Sequence, residues 1–151
     1  SAAMVRMRSN NRLHILADGP QKRIGVLSFY AEGIHHNLLV RLLNDHYGIQ
    51  VRGGCSCAGT YGHYLLDVTH KISSSITREI DLGDLTHKPG WVRLSLHPTM
   101  TDAELEYVMD ALDETLENAD KRAEDYRFDP CTGEFRHHSW KKPSLDWLAW
   151  D

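Results

Sequence analysis

Two amphipathic helical patterns alternate with short strand patterns along most of this chain, and that succession most restricts its fold. Leucines recur at helical spacing in residues 35–47, before Gly48, and a capping box at Thr101 and Glu104 begins a second, longer helix. Runs rich in β-branched, aromatic and other apolar residues occur at 12–17, 23–30, 49–52 and 91–96. This order predicts an α/β (α+β) two-layer sandwich.

The chain divides into a domain at 1–124 and an arm at 125–151. After Glu124 the helical pattern ends, and the remainder carries three tryptophans among turn-forming dipeptides. We expect an irregular tryptophan-rich arm packed on the domain. A sheet this small normally has its second face covered, so an exposed face would be a docking surface.

Composition excludes several classes of function. The net charge of -4 over 151 residues argues against nucleic acid as a partner. No apolar run is long enough for a membrane span, and no secretory signal opens the sequence. The odd count of three cysteines favours a reducing cytoplasm. Because three residues precede the first methionine, we expect the natural protein to start further upstream.

The segment from Arg52 to Gly59 carries the clearest chemical signal. Cys55 and Cys57 lie one residue apart among glycines, directly after Arg52. Glycines allow tight turns and a close approach to a partner molecule. A nearby guanidinium favours the reactive thiolate of a cysteine. The loop therefore predicts an accessible nucleophile beside a fixed positive charge.

Three motifs give this chain a family resemblance. They are RIGVLSF at 23–29, GIQVRGGCSCA at 48–58 and VRLSL at 92–96. Together they resemble the C-terminal small domain of class V aminotransferases, in the cysteine desulfurase and selenocysteine lyase branch of the pyridoxal-phosphate enzymes. The resemblance covers about residues 12–117. It implies a small, mostly antiparallel sheet with helices packed on one face, as in fold type I enzymes.

The resemblance also implies roles for particular residues. Cys57 matches the catalytic cysteine that attacks substrate sulfur or selenium, and Arg93 matches the arginine that holds the substrate carboxylate. Arg52 matches the arginine before the catalytic loop and is a second substrate-binding candidate. Cys55 is either an auxiliary thiol that resolves a persulfide or incidental. In its paired Cys-x-Cys, this loop also resembles the molybdenum-cofactor sulfurases, which are relatives on the same scaffold.

The family's cofactor, pyridoxal phosphate, is bound by a large domain that precedes the cysteine loop. Lys71 and Lys88 lie in tripeptides similar to the Schiff-base lysine motif, but both follow the loop. We therefore expect no cofactor in this chain and no activity from it alone. The resemblance implies a missing N-terminal large domain as partner, a cysteine-like or selenocysteine-like substrate and a homodimeric parent.

Other functions stay open. The parent could be an aminotransferase or another lyase without sulfur chemistry. The chain could instead be a stand-alone thiol-based sulfur carrier. A zinc site is not favoured, because the spacing of the Cys-x-Cys pair is tighter than in common structural sites. The other potential zinc ligands in the sequence are His63, Cys131, His137 and His138.

Overall fold

The computed structural model describes residues 2–19, 24–54, 59–66 and 69–141. The helices are α1 (Ala2–Ser9), α2 (His36–Tyr47), α3 (Gly59–Leu65), α4 (His70–Asp81) and α5 (Asp102–Ala123). The strands are β1 (Leu13–Ile15), β2 (Val26–Ala31), β3 (Arg52–Gly54), β4 (Trp91–Ser95), β5 (Tyr126–Asp129) and β6 (Glu134–His137).

The first four strands form one sheet in the order β1-β2-β4-β3, and every neighbouring pair is antiparallel. β5 and β6 form a separate antiparallel hairpin. The mixed α+β architecture with a small antiparallel sheet confirms the fold predicted from the sequence.

One face of the sheet supports the hydrophobic core. Leu27 and Phe29 of β2 lie opposite Leu94 and Val92 of β4, and all four are buried. Helices α1, α2 and α5 cover this face with the following buried residues: Met4, Met7, Leu38, Leu39, Leu42, Leu43, Met109, Leu112 and Leu116. The two strongest apolar stripes of the sequence thus become the two main helices of the core.

The opposite face of the sheet is more open. Directly opposed residues of an antiparallel pair lie on the same face. Ser28 and Arg93 are opposed on this open face, and so are His14 and Tyr30, whose rings stack at 4.7 Å. Among the described residues, α3 covers this face at the start of β4. There the buried ring of Trp91 lies beside Gly62 of α3.

The ends of the main helices follow the sequence signals. α2 ends at Gly48, whose φ of 67° is the left-handed conformation that glycine adopts without strain. α5 begins with the predicted capping box, in which the Thr101 hydroxyl and the Glu104 carboxylate each accept a hydrogen bond from the other's backbone N–H.

The description of 125–151 as irregular is wrong for residues 126–137, which form the β5–β6 hairpin. Its alternation places Phe128 and Phe135 in contact on one face, at 4.8 Å between ring centroids. The turn depends on Asp129, which accepts the Cys131 and Thr132 N–H groups, and on Gly133 at a φ of 69°. Trp147 and Trp150 lie outside the described residues, and the division into domain and arm stays a prediction.

Other differences are smaller. Helix α1 was not predicted, because eight residues show little amphipathic pattern although three of them are buried. The third strand was predicted at 49–52, but the paired residues are Arg52–Gly54. Ile49 and Val51 instead pack against the core without strand pairing.

Helix α4 is amphipathic but packs weakly. Its isoleucine stripe stays outside the core, with Ile72 51% exposed, although the spacing at 72, 76 and 80 is helical. None of the helices within the described ranges is long and apolar enough to cross a membrane.

Candidate functional site

Two arginines face each other on the open face of the sheet. Arg52 of β3 lies directly opposite Arg93 of β4. Directly opposed residues have Cβ atoms roughly 4.5–5.5 Å apart. Arg52 is exposed and Arg93 is half-buried. The pairing register therefore joins two predicted site residues that lie forty-one positions apart in the sequence.

Neither guanidinium is compensated within the described part of the chain. No side-chain hydrogen bond or ion pair joins the guanidinium of Arg52 or Arg93 to another described residue. By contrast, Arg6 bonds three carboxylates of α5 and Arg122 pairs with Glu114 at 2.9 Å. Like charges opposed across a sheet destabilise it. An anion bound between the two arginines would attract both guanidiniums and offset that repulsion.

Sequence reasoning missed Ser28 as a neighbour of this pair. It lies opposite Arg93 on the other side of β4, so Arg52, Arg93 and Ser28 form a row across three strands. A serine hydroxyl adds a neutral donor and acceptor to the two cations. The alternating pattern of β2 shows on which face of the sheet Ser28 lies. Only the register of β2 against β4 places it beside Arg93.

The two candidate thiols follow this row in the sequence. β3 ends at Gly54, and Cys55 and Cys57 lie outside the described residues. Their assigned roles therefore stay predictions. The third cysteine, Cys131, is a free thiol exposed in the β5–β6 turn.

A cleft of about 190 Å³ lies at the helix side of β3. His35, His36, Gly53 and Lys88 are among its lining residues. The two imidazoles stack at 4.3 Å. Burial lowers the pKa of His36 to about 4, with smaller contributions from the charges of His35 and Lys88. His36 is therefore neutral at pH 7.

His35 is neutral at pH 7 as well, since burial also lowers its pKa. Its Nδ1 accepts the Asn37 N–H at 3.1 Å, which caps α2 and places the proton of the neutral ring on Nε2. That Nε2 is buried without a partner. The start of the helix predicted at 35–47 is confirmed, because His35 is the N-cap residue of α2.

The cleft at Lys88 does not fit pyridoxal phosphate. Lys88 is exposed, and no carboxylate that could hold the pyridinium nitrogen lines its cleft. The side chain of Lys71 is not described. Within the described parts of the chain, no three histidine, cysteine, aspartate or glutamate residues converge as metal ligands.

Comparison with known proteins identifies the family. The family model for aminotransferase class-V matches residues 1–108, which include the core sheet, both arginines of the open face and the cysteine loop. A search of curated proteins found no match. The match covers well over half of the 151 residues. This chain belongs to the class V aminotransferase family.

Proposed function

We propose that this chain is the C-terminal small domain of a pyridoxal-phosphate-dependent enzyme with cysteine desulfurase or selenocysteine lyase activity. The observation that carries the proposal is the pair of uncompensated guanidiniums, Arg52 and Arg93, on the open face of the sheet. A guanidinium binds a carboxylate in a bidentate geometry that a lysine does not match. Arg93 holds the carboxylate of the amino acid, and Arg52 adds a second positive charge beside it.

Cys57 is the proposed sulfur acceptor. Its role rests on the loop sequence, which follows β3 directly and is separated from Arg52 by two glycines. The reaction balances without an external oxidant: cysteine and the Cys57 thiol give alanine and a Cys57 persulfide. The carbon–sulfur bond of the substrate breaks, and a sulfur–sulfur bond forms on Cys57. The positive charge of Arg52 favours the thiolate that such a transfer needs.

The cofactor belongs to another part of the parent protein in this proposal. Pyridoxal phosphate, when bound, supplies the electron sink for the amino acid. A large domain carrying it would dock against the open face and bring the cofactor to the arginine row. The chain alone would then bind substrate weakly and turn nothing over, and the parent would be a homodimer.

The first experiment mixes the isolated chain with pyridoxal phosphate and records its absorbance. We expect no Schiff-base band in stoichiometric amount. A stoichiometric band that borohydride traps on Lys71 or Lys88 would overturn the assignment of the cofactor to another domain.

The second experiment uses the complete open reading frame that contains this chain. Arg93→Gln should raise KM for cysteine at least about tenfold, since a charged hydrogen bond to the substrate is lost. The matched control is Arg78→Gln, because Arg78 is exposed on α4 and makes no side-chain contact to a described residue. Equal KM values for the two variants would contradict the carboxylate role.

The third experiment separates sulfur chemistry from the alternatives. Cys57→Ala should abolish sulfide release and leave the cofactor spectrum unchanged, whereas Cys55→Ala should retain release if that thiol is incidental. Full activity of Cys57→Ala would favour an aminotransferase or another lyase. Persulfide on Cys57 of the isolated chain, after incubation with a separate desulfurase and labelled cysteine, would favour a sulfur carrier.

A further inference from the structure

The β5–β6 hairpin carries a small basic spot on an otherwise acidic chain. Arg127 lies directly opposite Arg136, so both side chains occupy one face of the hairpin. The other face carries Phe128 and Phe135, which pack against the ring of His35 at 5.3 Å each. The arginine pair lies beyond residue 108, outside the family match, and the chain as a whole has a net charge of -4.

The two arginines differ in their partners. Arg136 pairs with Glu134 at 3.0 Å, and its guanidinium lies 5.0 Å from the centre of the Trp140 ring. Arg127 is exposed, and its side chain makes no hydrogen bond or ion pair with any residue that the structure describes. Like charges directly opposed on a hairpin oppose its formation. One positive charge at this spot is therefore left without compensation.

A cleft of about 250 Å³ lies at this pair, lined by Arg127, Arg136, His137, His138 and Trp140. His137 Nδ1 accepts the Ser139 backbone N–H at 3.2 Å. Strand alternation places the His137 ring on the same face as the phenylalanines, where its centroid lies 5.2 Å from that of Tyr126. The two guanidiniums are thus the donors at this cleft; Arg136 already has Glu134 as an acceptor, and Arg127 has none among the described residues.

The surroundings restrict what this donor set can hold. Asp129 and Glu134 are directly opposed two residues further along the hairpin, and they lie on the same face as the arginines. Their carboxylates repel an extended polyanion or an anionic membrane surface. We propose that the cleft lined by Arg127 and Arg136 binds the phosphate group of a small phosphorylated molecule. Guanidiniums match phosphate oxygens in a bidentate geometry.

The test is calorimetric titration of the whole chain with inorganic pyrophosphate. We expect saturable binding that weakens as salt is added. Arg127→Gln should lower the affinity at least about tenfold, as the loss of a charge-assisted contact requires. Arg127→Lys keeps the positive charge but loses the bidentate guanidinium, and it should lower the affinity less. Arg78→Gln removes the same charge at a remote exposed site and should leave the affinity unchanged.

Lipid headgroups also carry phosphate. Binding to vesicles distinguishes a lipid headgroup from a small phosphorylated molecule. Sedimentation with vesicles of phosphatidylcholine containing phosphatidic acid should show no more binding than vesicles of phosphatidylcholine alone. The proposal is overturned if pyrophosphate does not bind, if Arg127→Gln binds as tightly as the wild type, or if only the acidic vesicles bind. The comparison of Arg127→Gln with the wild type reports on this cleft alone, because Arg52 and Arg93 are intact in both proteins, so the proposed function can fail independently.

Discussion

The imidazole of His36 lies against Gly90, so close that a β-carbon at residue 90 would come within 2.6 Å of the ring. His36 is nearly buried at the start of α2, and Gly90 immediately precedes β4. This contact joins the helix layer to the strand that carries Arg93. Replacing Gly90 by alanine should therefore force the ring or the strand to move.

Gly90→Ala is expected to destabilise the domain by about 1–3 kcal/mol, the usual cost of overpacking a close contact. The measurement is the free energy of unfolding in urea. The matched control is the same change in a His36→Ala background, where the ring is absent. An equal cost in both backgrounds would show that the contact with His36 is not the cause.

Stability should fall in acid because His36 is held neutral. The pKa of His36 is lowered from its usual 6.5 to about 4, chiefly by burial. Between these pH values the unfolded chain binds more protons than the folded chain. The contribution of His36 to the free energy of unfolding is therefore complete above about pH 6.5 and is lost as the pH falls through about 4. The total loss is about 3 kcal/mol.

His36→Gln tests this pH dependence, since glutamine does not titrate. The free energy of unfolding is measured for both proteins between pH 7 and pH 4. The advantage of the wild type should shrink as the pH falls, while His35 and the carboxylates titrate in both proteins and largely cancel. A difference that stays constant with pH would refute the assignment to His36.

Arg52→Gln should stabilise the isolated chain slightly. Removing one of two opposed like charges is expected to gain about 0.2–1 kcal/mol. The gain should diminish at high salt, because mobile ions screen the repulsion between Arg52 and Arg93. Thermal unfolding at low and high salt, with Arg78→Gln as the control for charge, measures it. A loss of stability would mean that Arg52 has a stabilising role not shown by its contacts.

The N-caps of α5 and α4 should differ in their effect on global stability. Thr101 caps α5, which supplies much of the core, so Thr101→Ala should cost about 1 kcal/mol of the free energy of unfolding. Thr69 caps α4, whose described residues are not buried. Thr69→Ala should leave global unfolding unchanged and speed amide hydrogen exchange within α4. Equal losses of global stability would show that α4 unfolds together with the core.

The candidate site could be predicted residue by residue but not as an arrangement. The family resemblance assigned roles to Arg52 and Arg93 one by one, from short motifs around each residue, and those roles stay predictions. Ser28 and the cleft at His36 were not predicted as neighbours of the site, since their positions depend on which strands pair and in which register. The hairpin arginines escaped notice because Arg127 and Arg136 lie on separate strands of a segment read as irregular.

The sequence by itself determined the helices α2 and α5, their caps and the apolar face of β2 and β4. Local periodicity and capping chemistry are carried within a few residues, so they can be read from a single chain. Tertiary structure alone decided the β1-β2-β4-β3 order, the opposition of Arg52 to Arg93 and the position of the α4 stripe outside the core. These depend on contacts between residues far apart in the chain, and local propensity does not encode them.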